Sequence, residues 1–257
     1  MNRDKRLDVL IPLIVILVLL LIWQMACTFE LVPHYMLPSP IEVVQAFVND
    51  FPLLMSHARV TLIEAGLGLV IGSGLGFICA ALMDAFPMVK KGLYPILIIT
   101  QTIPPVAIAP LLILWFSYGI TPKVILVVLV SFFPMAVGLL EGFQSVDKDM
   151  IRLMQSMKAS RWQIFIHVKV PYALGETFAG LEIAIAYSII GAVISEWLGG
   201  FNGLGVYMTR VKKSLSYDKM FAVIFFISII SLLMIQAVKT IRKKVMPWEQ
   251  TKNEDDK

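Results

Sequence analysis

Six stretches of roughly 17 to 27 mostly apolar residues leave this chain little choice of solvent. They are Leu10–Ala26, Val60–Met83, Leu93–Phe116, Val124–Phe143, Tyr172–Leu198 and Met220–Ile241. A bilayer core needs about 20 apolar residues per helix. Backbone polar groups in lipid must be satisfied within the segment, so the runs predict helices and an all-α polytopic membrane protein with six transmembrane helices. Composition agrees: 58% of the residues are hydrophobic and 16% charged, against about 45–50% and 25% in a soluble domain.

The first run follows Arg3, Lys5 and Arg6, as a leader core would. No small-x-small cleavage pattern comes after it, so it is expected to stay as a helix. Lys and Arg placement orients the chain. With the N-terminus inside, 16 of the 22 basic residues fall on the inner side and 6 on the outer, among them Arg59, Lys123, Arg210 and Lys219. Both termini are therefore expected to be cytoplasmic in a cell membrane. The expected organisation is a tail over 1–9, one membrane domain over 10–245 and a polar tail over 246–257. Leu37-Pro38-Ser39-Pro40 and the pattern of Ile41–Phe51 predict a short amphipathic helix at the membrane surface.

Enzymatic motifs are missing from the sequence. It has no G-x-x-x-x-G-K-[ST] phosphate loop, no H-E-x-x-H and no nucleophile elbow; His34, His57 and His167 are scattered. No catalytic residue and no metal site is expected, and the basic clusters suit a membrane surface rather than nucleic acid. Cys27 and Cys79 lie in apolar runs and support no disulfide framework. Uphill transport by such a chain needs an ion gradient or a separate energy-supplying subunit.

Three features inside the runs stand out. Gly68, Gly72 and Gly76 recur at four-residue spacing, which lets helices approach closely in lipid. Gln101, Thr102, Pro104 and Pro105 break the third run, either as a structural kink or as the lining of a pathway. Glu182 and Glu196 share one face of the fifth run, where a carboxylate is costly; they are candidates for a pathway or helix-interface role, or for local pairing. Glu64 is expected at an interface. Between the fourth and fifth runs, 146–171 reads as helical, with Met150, Ile151, Met154 and Met157 at helical spacing. Such a segment either lies on lipid headgroups or docks into a partner's groove.

That segment resembles the permeases of ATP-binding-cassette importers, whose signature there is E-A-A-x3-G-x9-I-x-L-P. Arg152, Leu153 and Met154 stand at the Glu-Ala-Ala positions, Lys158 at the glycine, and Val168-Lys169-Val170-Pro171 at the end, with the spacing kept throughout. Ala159 to Phe165, including Arg161, is similar to the sulfonate, nitrate and taurine branch, as are Leu37-Pro38-Ser39-Pro40, Thr102-Ile103-Pro104 and Gly199 to Gly205. Tyr187–Arg210 looks most like permeases for thiamine pyrimidine precursors.

The resemblance implies a type I importer permease fold used as a homodimer. It implies an ATPase subunit that binds ATP and Mg and docks on Arg152, Leu153, Met154, Lys158, Ala159, Arg161, Val168 and Pro171. It also implies an external binding protein that delivers the solute, for which Phe201–Lys219 is the expected contact, and it leaves this chain without a cofactor. The cargo it suggests is a thiamine pyrimidine precursor, with a sulfonate-, nitrate- or taurine-like anion as the alternative. An ion-coupled carrier acting alone would instead show inverted repeats with paired broken helices. The altered signature departs from the family in charge and size, which implies a partner groove matched to Lys158 and Arg161.

Overall fold

The computed structural model describes residues 2–33 and 36–248, with side chains from Leu10 onward. His34, the tail from 249 with Lys252 and Lys257, and the side chains of Arg3, Lys5 and Arg6 lie outside the described residues. Among the described residues the regular structure is entirely helical.

Helix α1 covers Asn2–Thr28 and α2 Pro40–Asn49. A capping box starts α2: Ser39 Oγ accepts from the Glu42 amide at 3.3 Å, and Glu42 Oε2 accepts from the Ser39 amide at 2.8 Å. Trp23 of α1 donates its indole N–H to the Pro38 carbonyl at 3.1 Å. Helix α3 runs unbroken from Phe51 to Ala85, nine residues earlier than the apolar run begins. The reason is Pro52 in its first turn, which pre-sets the helical φ.

The third apolar run forms two helices, α4 (Pro87–Thr100) and α5 (Pro105–Phe116), bent by 100° at the break. Pro104 and Pro105 lack the amide protons that would carry α4 onward. Thr100 Oγ1 and Thr102 Oγ1 donate to the carbonyls of Leu97 and Ile99, at 2.9 and 2.7 Å. Among the described residues, five helices are long and apolar enough to cross a membrane, and six when the bent pair is counted as one broken span.

The centre of the bundle is α6 (Thr121–Gln144), sandwiched between α3, which runs parallel to it, and α10 (Leu174–Gly199), which runs antiparallel. Contact is backbone to backbone. A Cβ on Gly72 would lie 2.9 Å from the Val128 carbonyl oxygen, one on Gly76 would lie 2.8 Å from Met135 Cβ, and one on Gly68 would collide with Val127. Across the other face, Gly142 meets Ala173 and Gly180 meets the Pro134 carbonyl. Without a hydrophobic drive between helices in lipid, such close van der Waals contact is what associates them.

Short helical elements close the bundle at its two opposite ends. Helix α11 (Leu204–Lys213) buries Leu204, Tyr207 and Val211 against Leu54 and Ala58 of α3 and Val223 of α12 (Tyr217–Val245). Within the outer segment 201–219, the spacing of Leu204, Tyr207, Met208 and Val211 is helical, and the apolar face it forms is covered. At the other end, α7 (Lys148–Ser156), α8 (Arg161–Ile164), a wide π-turn over Phe165–Lys169 and α9 (Val170–Tyr172) link α6 to α10.

Replacing Gly72 by valine therefore destabilises the bundle by about 1–3 kcal/mol, because neither helix backbone can move aside. Gly74 faces open space, so Gly74→Ala leaves stability unchanged or raises it by up to about 1 kcal/mol. Thermal unfolding of the two purified variants in one detergent checks the contrast.

Candidate functional site

At the α7 end, a surface stands out from the bundle on a short, firmly held segment. Asp147 caps α7 by accepting from the Asp149 amide at 2.8 Å. No residue of α7 is buried. Met150, Leu153 and Met157 are nevertheless apolar and exposed, and so is Trp162 of α8. Arg152, Lys158 and Arg161 are also exposed, and Met154, Ala159 and Val168 half-buried; Pro171 is exposed where the segment rejoins α10. Arg152 pairs only with the equally exposed Asp149, at 2.9 Å, a contact worth well under about 1 kcal/mol in water.

Lys158 explains how the segment turns without its glycine. Its φ is +58°, in the left-handed region. Its amide donates to the Gln155 carbonyl at 2.9 Å, and the Ala159 amide donates to the Met154 carbonyl at 3.0 Å. This is the bonding of a glycine-terminated helix end; the lysine adopts the same backbone at a cost of about 1 kcal/mol or more. A second capping box, Ser160 with Gln163, restarts the chain as α8. Ile164 then enters the core, Phe165 packs edge-on against Phe143 of α6 with centroids 5.1 Å apart, and Lys169 donates to both carboxylate oxygens of Asp84 at 2.7 Å. The exposed face is thus fixed to the bundle by a buried side.

At the α11 end, three consecutive amides are each captured by a side chain. Gly203 N–H donates to His57 Nδ1 at 2.9 Å, Leu204 N–H to Thr61 Oγ1 at 2.9 Å, and Gly205 N–H to Glu196 Oε2 at 2.6 Å. Thr61 in turn donates to Glu196 Oε1 at 2.7 Å. Orphan amides at a helix start favour a carboxylate, and Glu196 supplies it. Only glycine fits at 203, because a Cβ there would collide with the Glu196 carboxylate and φ is +126°. Glu64, one turn along α3 from Thr61, is buried rather than interfacial: Lys123 of α6 reaches it at 2.6 Å, and both side chains are under 10% exposed. Removing one partner of such a pair leaves a buried charge, at a cost of about 3–5 kcal/mol.

Beside this clasp, Asp50 accepts from the Tyr207 hydroxyl at 2.6 Å and from Lys219 at 3.1 Å. Burial works to raise the Asp50 carboxyl, but these two donors outweigh it and hold it below the usual carboxylate range. Burial first, and then the Asp50 carboxylate, pushes the Tyr207 hydroxyl up.

The remaining candidates are not gathered into one site. Glu182 is half-buried on α10, 3.7 Å from Lys239 of α12, and lies about 21 Å along the helix from Glu196. Gln101, Thr102 and Pro104 are exposed at the bend and Pro105 is half-buried. The exposed apolar side chains Val106, Leu111, Leu114 and Trp115 follow on α5. Sequence reasoning missed His57, Thr61, Lys123 and Asp84 as partners, since each bond joins residues far apart in the chain.

Residues 72–247 match the model of the family described as binding-protein-dependent transport system inner membrane component. A probable ABC transporter permease protein of Haemophilus influenzae is 38% identical, over 88% of this chain and 93% of that protein. The formylaminopyrimidine transport permease protein ThiX of Halalkalibacterium halodurans is 34% identical, over 93% and 96%. The taurine transport system permease protein TauC of Escherichia coli is 31% identical, over 90% and 86%. Among solved structures, a bacterial ABC transporter involved in import of the acidic polysaccharide alginate has the same fold, with a TM-score of 0.64 at 15% identity over 93% of this chain and 96% of that one. The bundle with its bent third span and protruding helical segment is the type I importer fold, and the chain belongs to the family of binding-protein-dependent inner membrane components, as an ABC importer permease.

Proposed function

We propose that this permease forms a homodimer that imports a thiamine pyrimidine precursor, received from an extracytoplasmic binding protein and driven by a separate ATPase that binds ATP and Mg. The observation that carries the reading is the protruding segment, whose Met150, Leu153, Met157 and Trp162 are exposed while its other side is locked into the core. An amphipathic segment merely resting on lipid needs no such rigid attachment, whereas one that must deliver force to a bundle does. The α7 end is then cytoplasmic, as the basic residues of 148–169 favour, and α11 faces the binding protein with Arg210, Lys212 and Lys213.

ATP-driven closure of two ATPases would move the coupling segments of two permease copies together. Each is continuous with α6 and α10, so the spans tilt as bodies and change which side has access, a two-state transition biased at both ends. The exposed Gln101, Thr102 and Pro104 line the pathway between copies, beside the apolar face of α5. The pyrimidine assignment rests on the 34% identity to the formylaminopyrimidine permease over 93% of the chain; the 31% identity to the taurine permease makes a small sulfonate the second reading.

Affinity purification of the chain from native membranes tests the assembly. A stoichiometric ATP-hydrolysing subunit copurifies and is lost when 152–158 is deleted; recovery of the chain alone, still transporting under an ion gradient, sinks the proposal. The Lys158→Glu/Arg161→Glu double variant, with two charges reversed at the contact, lowers copurified ATPase by roughly tenfold or more, and an unchanged yield would mean that the groove does not read these charges. Uptake of labelled formylaminopyrimidine, unaffected by excess taurine, identifies the cargo, and the reverse pattern assigns the sulfonate. Lys158→Gly keeps the ATPase bound and stabilises the turn by roughly 1 kcal/mol, because glycine occupies the left-handed region without strain; slower amide exchange over 148–160 reports it.

A further inference from the structure

Asp84 stands in the last turn of α3, where the negative end of the helix dipole disfavours a carboxylate. Lys169 compensates it with bonds of 2.7 Å to both oxygens, and the pair is largely shielded, at 19% and 9% side-chain exposure. Lys169 closes the π-turn over Phe165–Lys169. A π-turn holds one residue more than an α-turn and so rotates the chain after it relative to the chain before it, a device common at functional positions. The contact thus joins two locally unfavourable features, an acid at a helix C-terminus and a widened turn, across 85 residues of sequence.

The helix it grips has a particular reach. After Pro52, α3 has no proline, whereas the α4–α5 pair is bent by 100°. His57, Thr61 and Glu64 at the far end of α3 belong to the clasp and to its neighbouring ion pair. From Asp84 back to Thr61 the helix is about 35 Å long. One unbroken helix therefore ends on the coupling segment at one side and on the start of α11 at the other.

We propose that the Asp84–Lys169 pair is the strut through which displacement of the coupling segment enters α3 and, along α3, reaches the clasp that holds α11. The inference rests on the importer reading and adds positioning residues to it. Neither Asp84 nor Lys169 is on the exposed docking face, so the pair acts through the helix and not by contact with a partner. Movement of α3 at the clasp shifts the acceptors His57 and Thr61 against Glu196, which rides on α10, and so loosens or tightens the amides 203–205.

Hydrogen exchange on the complete complex in nanodiscs, with and without trapping by Mg-ATP and vanadate, separates these links. In the wild type, trapping changes exchange over 148–169 and also at the amides 203–205, there by roughly tenfold, in proportion to one side-chain hydrogen bond per amide. In Asp84→Asn, which keeps shape and removes charge, 148–169 still responds and the response at 203–205 is lost. The charge-exchanged double variant Asp84→Lys/Lys169→Asp restores it. A response at 203–205 that survives in Asp84→Asn overturns the strut, as does a double variant no better than the single one. A wild-type complex in which only 148–169 responds also overturns it. Absence of any nucleotide response at 148–169 in the wild type would remove the proposed coupling role of that segment, and the strut with it.

Discussion

The close approach of α3 and α6 at Gly68, Gly72 and Gly76 sets the geometry on which the rest of the bundle depends. In lipid, helices gain little from burying apolar surface against one another, so association relies on contact that side chains would prevent. Because the two backbones touch, Lys123 at the start of α6 reaches Glu64 of α3, and an ion pair forms between two largely buried side chains. The same approach sets the height of Thr61 and His57 against the end of α10, where Glu196 waits. A wider spacing would strand these polar groups in an apolar surround, which costs far more than the packing itself. The glycines therefore act at a distance, by allowing polar contacts that they do not touch.

The bilayer character, the bend and the helical segment between α6 and α10 were legible because each is written locally. Apolar length, Pro104-Pro105 and the spacing from Arg152 to Pro171 need no partner to be read. The glycine row was legible for the same reason: its four-residue period names a face, though not the helix that meets it. Polar pairings were not legible. Glu64 looks interfacial beside Arg59, and only the fold brings Lys123 to it. Glu196 reads equally as a pathway acid, a helix-interface acid or one half of a local pair, and only the fold engages both of its oxygens at the start of α11. Asp84 gave a faint signal, an acid where a helix should end on a base, but the sequence does not say which cation answers it.

Helix α11 shows how composition can conceal an element. Its three basic residues and the glycines before it read as a solvated loop, and its apolar positions are too few for a span. The helical interval of Leu204, Tyr207 and Val211 was present all the same, and the structure buries those three residues together. What makes the helix stable at ten residues is not propensity, since isolated helices of that length are marginal in water. Its first amides are bonded by side chains from α3 and α10, and its apolar face is covered by α3 and α12.

A transporter of this design must be stiff along its helices and bistable between them. The side-chain bonds are distributed accordingly. Within the protruding segment they are local caps, Asp147 with Asp149 and Ser160 with Gln163, which keep its shape whatever the bundle does. Between the segment and α3, and between α3 and α11, they are few, short and largely buried, so each is either made or broken as a unit. Exposed pairs such as Arg152 with Asp149 add almost nothing in water and cannot store a choice between states. Shielded ones can, because a small shift that parts a buried acid from its donor costs several times the thermal energy. The positions where the chain accepts an acidic side chain away from water are Asp84, Glu64 and Glu196, all of them on or against α3.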